Sequence, residues 1–279
     1  MATSVQTTYD DFPAIAYAGQ LAHDGGQGHD VASANNSNAT AITAGLVVLR
    51  SGDRLVRPIL STDEPTADPD AIIASGVASA TTRQTITGAS LNGVIGQLEI
   101  SPPLNVTLTF NSHSDWNDTT IIVKGLGAYG EPISETFLVK EGGNEVLTGV
   151  EHFSFVTAVI VPPGTSTNGT LLVGTGVSVG PIGRLAAGIA VYDMAREPGT
   201  YAQYERLSVL KQGRVAVSAE AAVTEGMPVY VRFVATGGEV RGAMRAAPDS
   251  TDCALLPGAR WATTTTGAGI AFVNLNLPR

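Results

Sequence analysis

The sequence holds one cysteine, Cys253, in 279 residues. An internal disulfide and a cysteine-based metal site are both excluded, so core burial or association must hold the chain together. Charge is scarce too: Asp, Glu, Lys and Arg make up 15% of the residues, well below the usual quarter, which leaves the polar surface to Thr, Ser, Asn and Gly. Aromatic residues are only 6%, and Trp116 and Trp261 are the sole tryptophans. We read both as core or interface anchors, because carbohydrate sites usually stack sugars on a richer set of rings. No apolar run reaches the roughly 18 residues of a membrane span, and the least charged stretch, after Glu151, is broken by Pro162, Pro163, Gly164 and Gly169. No membrane partner is expected. Met1 to Asp11 has no basic n-region and no apolar h-region, so no secretory routing is expected either. The sequons that start at Asn35, Asn38, Asn105, Asn117 and Asn168 then reflect only a chain rich in Asn and Thr.

Net charge of one sign is also distributed unevenly. The formal charge of -9 argues against nonspecific nucleic-acid binding, which draws its affinity from cations replacing counterions along the phosphates. Residues 1–80 carry -6, residues 81–180 carry -5 and residues 181–279 carry +2. An acidic part of one copy could meet the Arg-rich part of a neighbour at Arg232, Arg241, Arg245 and Arg260. The alternative is that these are ordinary solvated charges.

What the sequence has in abundance is glycine and β-forming residues. Its 32 glycines and 15 prolines follow no period and punctuate short elements, which predicts an all-β fold with little helix. The first forty residues, with Gly19, Gly25, Gly26, Gly28 and the Asn35–Asn38 tract, read as an extended arm with turns. Ala44–Arg50 and Leu55–Leu60 about Ser51-Gly52-Asp53 give a hairpin signal. Ser61–Asp70 reads as a loop. Strands follow at Asn105–Phe110, Thr119–Lys124, Ser134–Lys140, Phe153–Val161 and Thr170–Val179, separated by turns at the spacing of a small antiparallel sandwich. Leu185–Glu197 and Tyr201–Leu210 each suit a helical turn or two. Strands resume at Arg214–Ser218, Pro228–Val234 and Gly269–Leu277. The length suits two domains. The economical arrangement is one β-barrel or sandwich-like domain built from residues 1–80 with 181–279, interrupted by a sandwich inserted at 81–180.

Each chemical motif has a bland reading that its context favours. Gly125-Leu126-Gly127-Ala128-Tyr129-Gly130 spells a dinucleotide fingerprint, but Glu131-Pro132 leads into another strand where that motif requires a helix. We read a hairpin turn. His23 and His29 beside Asp24 and Asp30 could hold a divalent metal, and Asp63, Glu64, Asp68 and Asp70 could offer oxygens to Ca²⁺. The first set lies in a glycine-rich turn and the second lacks the twelve-residue loop spacing, so both read as solvated loops. For nucleophilic catalysis the chain offers His113 and His152 and no Gly-x-Ser-x-Gly elbow. Cys253 follows Asp249 and Asp252, acids that raise a thiol pKa. No catalytic residue, metal ligand or cofactor site is therefore assigned, and no cofactor is expected.

The run from Gly226 to Pro278 resembles the end of tailed-phage structural cement and head-decoration proteins. It comprises the strand Met227–Phe233, the turn Gly237-Gly238, the segment Gly242–Arg245, then Leu256–Trp261 and the closing strand from Gly269. The run Tyr17-Ala18-Gly19-Gln20 with a strand around Gly45–Arg50 is similar to their beginning. The middle, through Val123–Val139 and Val150–Thr157, resembles small Ig-like sandwiches inserted in phage virion proteins, a domain that short members of the family lack. The resemblance implies a non-enzymatic virion protein, made in the host cytoplasm and placed on the outer capsid surface. Its partner would be the major capsid protein, whose subunits it would bridge, with self-association most simply as a homotrimer. The alternative is a carbohydrate- or receptor-binding module of a phage tail or baseplate, and an exposed aromatic cluster around Trp116 would favour it.

Overall fold

The computed structural model describes residues 16–22, 28–78, 80–91, 98–111, 113–141, 145–163, 169–195, 199–249 and 252–277. Strands dominate, and the helical elements among these residues are four short 3-10 turns. The all-β expectation is met. The chain opens with β1 (Asp30–Asn36), β2 (Ile42–Thr43), β3 (Val47–Gly52) and β4 (Leu55–Arg57). It continues through β5 (Asp68–Ala78), β6 (Gln84–Thr87), β7 (Leu98–Asn111), β8 (Thr120–Leu126), β9 (Pro132–Leu138), β10 (Val146–Val161) and β11 (Thr170–Val179). It ends with β12 (Ala186–Ala190), β13 (Thr200–Tyr201), β14 (Arg206–Ala219), β15 (Pro228–Arg232), β16 (Met244–Arg245), β17 (Cys253–Trp261) and β18 (Gly269–Asn276).

One sheet runs β1-β4-β3-β12-β14-β16-β15-β17-β18, and β14 also pairs with β1 and with β18. Those two extra pairings close the sheet into two five-membered rings that share β14. The shared strand is 14 residues long, about 45 Å of extended chain, enough to serve both rings in succession. Its first half pairs with β1 from Asn35↔Arg206 to Asp30↔Gln212, and its second half with β18 from Gln212↔Asn276 to Ala219↔Gly269. The interior changes at the same place. Leu207 and Val209 join Ala34, Ile42, Val48, Val56 and Tyr201 in one core, whereas Val215 and Val217 join Val229, Phe233, Leu256, Trp261 and Val273 in the other.

The second sheet, β5-β11-β7-β10-β8-β9 with β6 against β10, is drawn wholly from residues between 68 and 179. Laid flat, its end strands would stand about 24 Å apart. Ile72 of β5 and Phe137 of β9 nevertheless share one core with Val106, Trp116, Phe153 and Leu171, so the sheet curls around its own interior. The chain returns from this unit through a segment pressed onto the tip of the β8–β9 hairpin. Arg184 N donates to Ala128 O at 2.9 Å, and a Cβ on Gly183 would lie 2.2 Å from that same oxygen.

Three local expectations need correction. The N-terminal arm is not free of regular structure: β1 zips onto β14, and Gly19 N and Ala22 N donate to Ala216 O and Arg214 O of the same strand. Residues 1–15 lie outside the described set. The supposed loop at Ser61–Asp70 holds a 3-10 turn, and β5 already starts at Asp68. The segments read as helical turns are β12 and the first half of β14, with only a 3-10 turn at Gly183–Leu185. All five residues of β12 are buried, and a short strand covered on both faces shows no alternation that would separate it from helix.

Candidate functional site

The glycine motif is consumed by packing. Gly125 lies in β8 where a Cβ would fall 1.9 Å from Phe155 O, and residues 127–131 close the hairpin through Gly127 N to Glu131 O and Gly130 N to Gly127 O. Glu131 Oε2 also accepts from Tyr129 N at 2.8 Å. No helix follows the motif, so no amides converge on a phosphate. The acidic loop holds cations of its own chain: Asp63 is buried, takes Arg57 at 2.5 and 2.8 Å and accepts from Leu60 N, while Glu64 pairs with Arg241. Of the histidine pair, His29 packs over Gly213, while His23 and Asp24 lie outside the described residues. Among the described residues no three His, Cys, Asp or Glu side chains cluster as metal ligands.

His152 has a partner that the sequence did not reveal. The ladders of β10 and β11 with β7 slip out of register between Thr148 and His152 and between Thr175 and Val179. A bulge leaves backbone groups without ladder partners, and side chains must supply them. Glu135 Oε1 accepts from Val150 N at 2.6 Å, Asn105 Nδ2 donates to Gly149 O, Asn105 Oδ1 accepts from Ser178 N, and His152 Nε2 meets Ser178 Oγ at 3.0 Å. The His–Ser contact therefore belongs to a network that satisfies two bulges. The His113 side chain lies outside the described set.

Burial holds His152 below the usual imidazole pKa, partly offset by neighbouring Glu151, and burial pushes the Glu135 carboxyl up. For a histidine depressed in the fold, the unfolded chain binds the proton first. Its stabilising contribution is full above pH 6.5 and is lost as pH falls from there towards the folded value. We expect melting curves to move down on acidification through this window and expect His152→Gln to flatten that dependence. An unchanged slope in the variant would assign it to other groups.

Of the C-terminal cations, Arg260 is exposed, with Nη1 donating to Gly226 O at 3.3 Å, whereas Arg232, Arg241 and Arg245 are not held out to a neighbour. Arg232 is fully buried and contacts Glu220 at 2.8 Å, Glu239 at 2.9 Å and Asp249 at 3.2 Å; Arg245 takes Asp249 at 2.5 Å, and Arg241 takes Glu64. The acidic-to-basic pairing expected between copies is made, for these three residues, within one chain. Burial alone would lower the Arg232 pKa, yet hydrogen bonds to Glu220 and Asp249 hold it above the usual value. The Cys253 thiol is pushed up to about 11, chiefly by burial, with Arg232 acting against the shift. The sequence attributed that rise to the neighbouring Asp249 and Asp252; burial causes it, Glu220 adds to it, and the Asp249 backbone works against it.

Other cations have no carboxylate partner among the described residues: Arg50 at the end of β3, Arg54 in the β3–β4 turn, Arg184 after β11 and half-buried Lys211 of β14. The fold gathers them along one groove on the nine-stranded sheet that meets the second sheet at its Arg184 end. Cavities of about 750, 350 and 380 Å³ adjoin there, and Arg50 lines all three. Lys211 lines the first and third, Arg184 the second and Arg54 the third, while Tyr129 and Pro257 close one end. Among the described residues Asp30 and Asp53 are the carboxylates on its walls, so the groove is a cationic strip on an acidic protein. Positions 50, 54, 184 and 211 share no motif, and nothing in their spacing foretells the meeting.

Trp116 and Trp261 are both buried, Trp116 with its ring 5.9 Å from that of Phe110. No aromatic platform is centred on Trp116. Residues 138–276 match the model of a family described as Structural cement protein (E217 gp24/Pam3 gp6). The matched stretch takes in the C-terminal run from Gly226 and starts at Leu138, at the end of β9. No curated protein matches the chain.

Proposed function

Since the chain belongs to the phage structural cement protein family, we propose that it binds the outer capsid surface of a tailed phage and holds the head together by bridging major capsid protein subunits. The family match over 138–276 carries this reading. The protein acts mechanically and catalyses nothing. Packaged DNA loads the joints between subunits, and a bridging protein adds buried surface across each joint. A contact of standard size removes about 1,600 Å² from water, and a shell repeats it many times. The two closed rings suit a rigid base seated on the shell, and the curled seven-stranded unit, read as an Ig-like insert, projects from it. Self-association as a trimer about a capsid threefold axis belongs to the same proposal.

The test mixes purified protein with expanded capsids that lack it and follows co-sedimentation together with the melting temperature of the shell. Saturable binding with a rise in shell melting is the expected result, because a ligand selective for the assembled state stabilises it by mass action. Absence of binding at micromolar protein would overturn the reading. Analytical ultracentrifugation of the free protein reads the trimer directly.

A further inference from the structure

We propose that the cationic groove on the nine-stranded sheet is the seat of an extended acidic segment from a capsid subunit. This inference rests on the capsid-binding reading and deepens it. Four features carry it. Arg50, Arg54, Arg184 and Lys211 face one continuous depression without carboxylate partners among the described residues, although the chain as a whole carries -9. Arg57, Arg232, Arg241 and Arg245 each have an internal carboxylate, and the described cations without one outside the groove, Arg83, Lys124, Lys140, Arg206 and Arg260, are spread over separate elements. Lys211 is half-buried, a position where a cation loses hydration and gains from a carboxylate delivered by a partner. Finally, the cavity at Arg184 is walled by Ile100, Leu126, Phe155 and Leu185, which offers an apolar side chain a place beside the charges.

The dimensions fit a strand-like peptide more than a compact anion, because the cations extend from the Arg184 wall past Arg50 to Arg54 and no pocket encloses them all. Nucleic acid is disfavoured: the strip is short and Asp30 and Asp53 interrupt it, leaving too few consecutive cations to follow a phosphate backbone. A second copy is also a poor source of the segment. Its acidic loop has already placed Asp63 on Arg57 and Glu64 on Arg241, which leaves Asp68 and Asp70 as its exposed acids. The seated segment would touch both sheets and so fix the projecting unit relative to the base.

The experiment measures binding to expanded capsids, as a function of NaCl, for the wild type, the double variant Arg50→Glu with Lys211→Glu, the milder Arg54→Gln, and Lys124→Glu. Lys124 is exposed on β8 outside the groove and supplies a charge control. Melting curves of the free proteins check that each variant folds, and Arg54→Gln, at an exposed turn residue, keeps the test open if the double variant does not. The expected result is binding weakened by roughly 30-fold in the double variant, with a flatter salt dependence, a smaller loss in Arg54→Gln and no change in Lys124→Glu. Wild-type binding in folded groove variants would overturn the groove assignment and leave the cement reading standing. Failure of the wild type to bind would instead remove the reading beneath it. A groove variant that changes only the sedimentation of the free protein would make the occupant a second copy and overturn the capsid assignment.

Discussion

Replacing Arg232 by methionine is expected to destabilise the nine-stranded unit by about 3 kcal/mol, a fall in melting temperature on the order of 10 °C. Its guanidinium is fully buried beneath β15 and gathers Glu220, Glu239 and Asp249 while also donating to Val234 O at 3.2 Å. Methionine fills much of the volume but leaves three carboxylates facing one another across a site built for a cation. Those carboxylates are partly open to solvent, which is why the expected loss sits at the lower end of the range for a broken buried pair. The check is thermal unfolding of the variant beside a Glu220→Gln, Glu239→Gln, Asp249→Asn triple in the same background. If the loss comes from uncompensated charge, neutralising the acids restores part of it. A methionine variant as stable as the wild type would mean that packing alone holds this corner.

The two tryptophans give a second large effect and a way of separating the two units. Trp116 belongs to the core of the seven-stranded sheet and Trp261 to the core of the nine-stranded one, and both are essentially without exposure. Truncating either to alanine removes its burial and leaves a cavity, a loss of about 3–5 kcal/mol. If the two sheets unfold as separate cooperative units, calorimetry will record two transitions; Trp116→Ala will lower one and Trp261→Ala the other. A single transition lowered equally by both would show that the pressed hairpin tip at Ala128 and the return segment at Gly183 couple the units into one.

Much of the fold was written in alternation. Thr170–Val179 matches β11 end to end, and the Thr/Ile/Val and Glu/Thr/Phe patterns around Gly127–Glu131 name the β8–β9 hairpin, because each has one wet and one dry face. The failures have a common physical cause, which is structure imposed from outside the segment. Asp30–Asn36 is small and polar with weak strand preference, and it becomes a strand because β14 offers it a ladder. Ala186–Ala190 is buried on every side, so its sequence carries no period, and its alanines favour helix when read alone. The candidate site was less legible still. The resemblance pointed to the family, but the groove joins residues from β3, the β3–β4 turn, the return segment and β14, and only the tertiary fold brings them together. Conversely, Arg232, Arg241 and Arg245 looked available in sequence because their partners lie at positions such as 64, 220 and 239, on other loops.

The strand β14, shared by two rings, closes the nine-stranded sheet on itself and leaves the short β2–β13 pair as the open ladder of the base among the described residues, and the open borders of the other sheet are guarded. At one border β5 begins Asp68-Pro69-Asp70; at the other β9 begins at Pro132 and turns the Glu135 carboxylate inward. Proline and acid at a strand border are the usual defences against chain-to-chain zippering. By denying its copies a backbone template, this architecture disfavours strand-to-strand association and leaves any contact between copies to side chains.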